Sequence, residues 1–202
     1  MYNHTRHLAL ERIENEARER GANAVVDIQT AILPIGAGAR EMLMVGTASH
    51  HAGFGNPERP VTSELTGEEL WNLTKLGYGP LRLLLGTSVY SLGFTGGIGA
   101  FFKGLSRGEV SSVTQLIYRA RENALAHIEE EAKEIGADAV IGTKIFIYEM
   151  GGGFVEVLAI GTAVKKMSGL STKTPALIPQ AVIRDRTMFL DETHNTGKLD
   201  RH

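Results

Sequence analysis

In this 202-residue chain, the side chains that could bind an ion or transfer a proton are those of histidine, aspartate and glutamate. His4 and His7 stand three positions apart, so a helix would place both imidazoles on one face. Imidazole binds divalent metal ions, but no third ligand accompanies the pair, and the chain has no cysteine thiolate for soft metals. The pair is therefore a weak candidate for a metal site, and two solvated helix histidines are the simpler interpretation.

Two glutamates, Glu41 and Glu156, each lie within an apolar stretch that reads as a strand. An ionised carboxylate is costly to bury without a partner. Each glutamate would therefore pair with a lysine or arginine across a subunit interface, or lie on a solvent-facing strand surface. The alternative is contact with a ligand or cation, which makes both residues candidates for ligand binding. A general-base role for Glu156 in an enzyme is a weaker third option.

A glycine-rich segment at residues 93–99 follows a predicted strand, which is where phosphate-binding loops occur. Its sequence, GFTGGIG, matches neither of the common phosphate-loop patterns. We expect a loop used in packing or assembly. No serine lies in a nucleophile-elbow context, so no catalytic residues are predicted and we expect a protein that is not an enzyme.

Composition excludes several classes of function. The net charge is −2, so no strong positive field attracts nucleic acid, and no basic-aromatic clusters occur. The lack of cysteine fits a reducing compartment, and we expect a cytoplasmic protein. The uncharged stretch at residues 83–102 is long enough to span a bilayer, but its glycines favour a buried strand and a loop, so no stable membrane insertion is expected.

An internal repeat at an offset of 115 positions supplies the elements that would position these residues. Residues 9–48 and 124–163 align without gaps, and 19 of the 40 aligned pairs are identical. The two glutamates occupy equivalent positions, whereas the second copy has no histidine at the positions of His4 and His7. The glutamates thus belong to the repeated unit, and the histidine pair does not.

The second copy predicts a β-α-β-β unit. Its first strand lies in the β-rich run that ends near Tyr90, and its long helix starts near Ser111 or Ser112 and stops at Gly136. An antiparallel hairpin follows, with strands at Ala137 to Tyr148 and Phe154 to Val164.

The first copy predicts a helix and a hairpin without the preceding strand. The elements are a helix at Tyr2 to Arg20, a strand at Ala22 to Leu33 and a strand at Ala39 to Ser49. A sheet that lacks one strand exposes an edge or a groove. Either sequence upstream of Met1 or another chain would fill that gap.

We therefore expect an α+β protein with two antiparallel three-stranded sheets, the first of which lacks its first strand. The expected organisation is a partial first repeat (1–52), a Pro/Gly-rich linker (53–67), a complete second repeat (68–167) and a polar tail (168–202) whose composition is typical of disorder.

Three motifs carry a family resemblance. The segments GTSVYSLGFTGGI, EEEAKEIGADAVIG and VLAIGTAVK together resemble the YbjQ-like proteins, which are also described as heavy-metal-binding domains. The resemblance covers residues 76–166 in full, and the first copy only from its helix onward. It implies a dodecin-like β-α-β-β subunit that assembles into a ring, typically a pentamer. The tandem arrangement departs from the single-domain pattern of that ring.

The function expected from the residues and from the resemblance is that of a ring-forming homo-oligomer without enzymatic activity. It would act as a scaffold, or would bind a small ligand or a divalent metal ion. The alternative is a carrier that holds an aromatic cofactor between subunits, by analogy with dodecins. Trp71, the sole tryptophan, lies outside the repeated unit, which disfavours an aromatic pocket of that kind.

Overall fold

The described chain contains two repeats of one backbone pattern and a connection between them. The computed structural model describes residues 2–36, 39–54, 56–91, 107–151 and 153–168. The elements in these ranges are α1 (Tyr2–Glu19), β1 (Ala24–Gly36), β2 (Ala39–Ser49), β3 (Val61–Thr62), α2 (Gly67–Lys75), β4 (Tyr78–Ser91), α3 (Arg107–Glu134), β5 (Ala139–Gly151) and β6 (Phe154–Lys166). None of these three helices is both long and apolar enough to cross a bilayer. The predicted glycine-rich loop and the predicted tail beyond residue 168 lie outside the described residues.

The second repeat is a β-α-β-β unit, as predicted. Its sheet is antiparallel throughout, with the strand order β4-β6-β5. One face of this sheet, here called its helix face, packs against small and aliphatic side chains of α3, namely Ala120, Ala124, Ile128 and Ala132. Gly86 permits the close approach, because a Cβ atom at its position would lie 1.9 Å from the carbonyl oxygen of Ala124. The opposite side is here called the far face.

The long helix begins earlier than the sequence predicted. It starts at Arg107, before the predicted caps at Ser111 and Ser112. Its end agrees with the prediction, because Gly136 follows the helix at φ 68°, and Gly21 follows α1 at φ 67°. Only glycine adopts this left-handed conformation at little cost, so the two glycines terminate the equivalent helices in the same way.

The first repeat has the same hairpin as the second. The pairing of β1 with β2 shifts register between Val26 and Gln29, and that of β5 with β6 shifts between the equivalent residues 115 positions later. Such a shift marks a β-bulge. Asp27 lies in the first bulge at φ 53°, and its equivalent Gly142 has φ 67°. The repeat seen in the sequence is therefore also a repeat of the backbone.

The first sheet differs from the predicted antiparallel arrangement. Its order is β2-β1-β3, and the two-residue β3 runs parallel to β1. After Ser49 the chain passes to the other side of β1 and enters the sheet there at Val61, in the same direction as β1. The antiparallel prediction is therefore correct for the second sheet and wrong for the first. Among the described residues no strand pairs with the outer edge of β2, the position that β4 occupies in the second repeat.

The far face of the second sheet packs against the first repeat. One buried cluster joins this face to α1 and to the helix face of the first sheet, and it contains Leu10, Ala17, Ala22, Val25, Ile28, Ile32, Leu83, Leu85, Leu158 and Ile160. The second sheet is thus enclosed on both sides, by α3 and by the first repeat. The far face of the first sheet, by contrast, exposes Leu33, Leu43 and Val45.

Candidate functional site at the contact between the repeats

A buried ion pair lies at the centre of the contact between the repeats. Arg6 of α1 donates from Nε to Oε1 of Glu156 at 2.8 Å and from Nη2 to Oε2 at 2.6 Å. Both side chains are almost completely buried. Two parallel bonds satisfy both carboxylate oxygens, which is the geometry that a buried charge pair requires to offset its loss of hydration.

Strand β6 positions Glu156, and helix α1 positions Arg6. Glu156 is the third residue of β6 and points to the far face of the sheet, directly opposite Tyr148 of β5. Arg6 lies in the second turn of α1, which packs along β4 on the same side. Burial and the charge of Glu156 raise the pKa of Tyr148, although Arg6 and Arg40 act in the opposite direction. The phenol is therefore un-ionised beside the pair at neutral pH.

From the sequence, Glu156 was expected to form a salt bridge, to face solvent or to contact a ligand. The structure shows a salt bridge, and its partner is an arginine of the other repeat. The arginine itself was not identified from the sequence. A signal for it was present, because Arg6 and Arg121 are 115 positions apart, just before the aligned segment begins. Both repeats therefore carry the arginine as well as the glutamate.

Glu41 is not buried and has different surroundings from Glu156, although the two residues occupy equivalent positions in the repeats. It is exposed on the far face of the first sheet, opposite Leu33 of β1. Leu43 and Val45, the next residues of β2 on that face, are also exposed. The structure therefore does not bring the two candidate glutamates together, and it gives them opposite surroundings.

A groove follows the free edge of β2. It has a volume of about 360 Å³ and is lined by Ala9, Arg12, Ile13 and Glu16 of α1 and by residues 41–46 of β2. In the second repeat the equivalent space between helix and strand is filled by β4, which pairs with β6 along its whole length. The groove is therefore the position of the first strand that the sequence predicted to be missing.

A polar cluster covers the free edge of β4 where α1 and α3 approach each other. Arg82 of β4 lies 3.0 Å from Glu14 of α1 and 3.7 Å from Glu131 of α3. Nε2 of His7 lies 3.3 Å from the other oxygen of Glu131. Burial raises the pKa of Glu14, and the charge and hydrogen bond of Arg82 partly oppose that effect. The cluster therefore links α1 of the first repeat to β4 and α3 of the second.

Of the two candidate metal ligands, His4 and His7, the structure places only His7 beside carboxylates. A pocket of about 290 Å³ at this point is lined by His7, His127, Glu130, Glu131 and Glu134. His4 is exposed and is not among these lining residues. In the described ranges no three His, Asp or Glu side chains are arranged to hold a metal ion. With only nitrogen and oxygen donors, this set does not fit a soft heavy-metal ion.

Comparison with known proteins matches one family to both repeats. The model of the YbjQ family, with the description "Putative heavy-metal-binding", matches residues 1–52 and 79–167. The first segment ends shortly after β2, and the second runs from the start of β4 to the end of β6. The match therefore follows the repeats and omits the connection that contains β3 and α2.

Individual relatives cover about half of the chain. A Mycobacterium tuberculosis protein named as an encapsulin nanocompartment protein is 35% identical over 111 residues, which are 54% of this chain and 40% of that protein. A UPF0145 protein of Pseudothermotoga lettingae is 41% identical over 85 residues, 42% of this chain and 80% of its own length. A UPF0145 protein of Enterococcus faecalis is 35% identical over 100 residues, 50% of this chain and 92% of its own length. These names describe no enzymatic activity.

Proposed function

The chain belongs to the YbjQ family, as its sequence motifs indicated, and on this premise we propose that it is a non-enzymatic protein that assembles with further copies of itself into a scaffold. The observation that carries this proposal is the unequal burial of the two sheets. The far face of the second sheet is enclosed only because the first repeat covers it. The far face of the first sheet presents the same kinds of side chain, and within the described ranges they remain exposed.

An apolar sheet face is stable when it is buried against another element. A β-α-β-β unit has one helix and can cover one face, so a second face that is also apolar needs a neighbour. Inside this chain the first repeat is that neighbour for the second. Contiguous exposed apolar side chains on a folded protein mark an interaction surface. Self-assembly supplies the missing cover for the first sheet.

The name of the Mycobacterium relative supports a role in assembly, since it refers to a nanocompartment. The chain covers only 40% of that protein, so neither the compartment nor its contents are part of the proposal.

The geometry of Glu156 argues against the enzymatic alternative. A general base needs a carboxylate oxygen that can reach a substrate proton. Both oxygens of Glu156 accept hydrogen bonds from Arg6, and the pair is enclosed in the core between the repeats. Proton abstraction would require breaking both bonds and opening the core. A structural role for this glutamate is the better-supported proposal.

The test is the mass of the intact chain in solution. Size-exclusion chromatography with light scattering, and sedimentation velocity over a wide range of concentrations, should give species whose masses are multiples of 21.9 kDa. A species of one chain at every concentration would overturn the proposal. The wild-type protein without an affinity tag is the appropriate sample, because added residues can change association.

A further inference from the structure

The contact between the two repeats joins an accepting surface and a donating surface. Each repeat carries both kinds of surface, so each kind occurs twice in the chain. The accepting surface is the far face of a sheet. On the second sheet it is buried, with Leu158 at 0% and Ile160 at 2% exposure. The equivalent residues of the first sheet, Leu43 and Val45, are 46% and 59% exposed. Both strands pair in the same register in the two repeats, so the open surface has the same layout as the covered one.

The donating surface is formed by a helix together with the strand that follows it. In the first repeat Arg6 of α1 and Ile32 of β1 are buried in the contact between the repeats, with Ile32 at 9% exposure. In the second repeat the equivalent Arg121 is exposed, and Ile147 is 46% exposed. The donating surface is therefore also present in an open copy, at the other end of the chain.

We infer that the two open surfaces bind each other between copies of this chain. α3 and β5 of one copy would dock on the far face of the first sheet of the next, and Arg121 would pair with Glu41 as Arg6 pairs with Glu156. This inference rests on the proposed self-assembly and identifies the surfaces that carry it. Because the two surfaces differ, the contact is head-to-tail, so it closes into a ring or continues as a filament.

Charge and apolar area are complementary across this contact. Arg121 and Glu41 have opposite charges, and an arginine–carboxylate pair with two parallel bonds fixes the orientation of the two copies. Leu43 on one side and Ile147 on the other are exposed apolar side chains that flank the pair. Tyr118, 58% exposed and next to the Arg121 guanidinium at 5.8 Å, adds an aromatic ring on the helix side. Aromatic residues and arginine are enriched in such interfaces.

The contact between copies lacks one strand that contributes to the internal contact. The second sheet includes β4, which brings Leu83 and Leu85 into the shared core. The described part of the first repeat has no equivalent of β4, and the groove along β2 lies in its place. The surface buried between copies is therefore smaller, and we expect the association to weaken measurably on dilution.

The inference is tested by exchanging the two charges. Arg121→Glu and Glu41→Arg are made separately and together, and dissociation constants are measured by sedimentation on the full-length chain. Each single change places like charges in contact and should weaken association at least about tenfold, whereas the double change should largely restore it. Arg119→Glu is the matched control, because it makes the same change in charge on α3 at the position equivalent to the exposed His4. Circular dichroism verifies that every variant is folded.

The outcomes separate this inference from the proposed function. If the wild-type chain associates and the single variants associate equally well, these surfaces are not the contact, although self-assembly stands. The same conclusion follows if the single variants are weakened and the double variant is not restored. If the wild-type chain is a monomer at every concentration, both proposals are overturned.

Discussion

Arg6 and Glu156 lie 150 positions apart in the chain and form an almost completely buried, doubly hydrogen-bonded ion pair. One residue belongs to the helix of the first repeat and the other to the last strand of the second. The pair therefore links the two repeats at the point where both exclude water. Its dependence on geometry makes it a sensitive probe of the contact.

Removal of one partner should destabilise the fold strongly. Arg6→Ala leaves the Glu156 carboxylate buried without a partner, which costs about 3–5 kcal/mol. For a chain of this size, such a loss lowers the melting temperature by roughly 10 °C, measured by differential scanning calorimetry. Arg121→Ala is the control at the equivalent exposed position, with an expected change within about 0.5 kcal/mol at concentrations below those of association. Equal effects of the two substitutions would contradict the buried pair.

Close packing between α3 and the second sheet gives a second prediction. In Gly86→Ala the new Cβ atom would lie 1.9 Å from the backbone oxygen of Ala124, so the helix has to move. We expect a loss of about 1–3 kcal/mol or more in the free energy of unfolding, measured by urea denaturation. Gly67→Ala is the control, since a Cβ atom there meets nothing within 4 Å. A Gly86→Ala variant as stable as this control would show that the helix is not held against β4.

The sequence predicted the elements of each repeat well, because each is marked by a local signal. Apolar spacing indicated the long helix, and glycines in the left-handed conformation ended both helices, at Gly21 and Gly136. The internal repeat added the equivalence of Glu41 and Glu156. It could not show that one would be buried and the other exposed, because that difference depends on which surface each repeat covers.

Two short elements between the repeats were missed for different reasons. β3 has only two residues, too few for any alternating pattern, and it forms because β1 offers a free edge beside it. α2 had a usable signal. Thr66 and Glu69 form a capping box, in which the Thr66 hydroxyl accepts from the Glu69 amide and the Glu69 carboxylate accepts from the Thr66 amide. The pattern is visible in the sequence, within a segment interpreted as the linker and the start of the second repeat.

Glu64 provides a prediction about pH. One of its oxygens lies 2.9 Å from Nζ of Lys144, and the other is buried without a hydrogen-bond partner. Burial raises the pKa of this carboxyl above its ordinary value of 4.5, and the contact with Lys144 only partly opposes this effect. The folded state thus retains the proton to a higher pH than the unfolded state does. Stability is therefore lost as the pH rises from 4.5 through the raised pKa.

Glu64→Gln removes that loss, because the amide does not ionise. We expect the melting temperature of Glu64→Gln relative to the wild type to be higher at pH 8 than at pH 4. Thermal denaturation of both proteins between these pH values measures it. Glu58→Gln, at a carboxylate that is 74% exposed, is the control and should show no such trend. A gain from Glu64→Gln that is the same at every pH would contradict the assignment to ionisation.

Leu158 and Leu43 are equivalent residues with opposite burial, so one substitution at two positions separates folding from assembly. Leu158→Ala removes a side chain from the closed core and should cost about 2–5 kcal/mol of unfolding free energy. Leu43→Ala changes a side chain that is 46% exposed, so the unfolding free energy of the single chain should change by less than about 1 kcal/mol. If the far face of the first sheet binds a second copy, Leu43→Ala should weaken association instead, in sedimentation at the same concentrations. A Leu43→Ala variant that associates normally would show that this face is not covered in solution, and a strongly unfolded one would show that it is already part of the core.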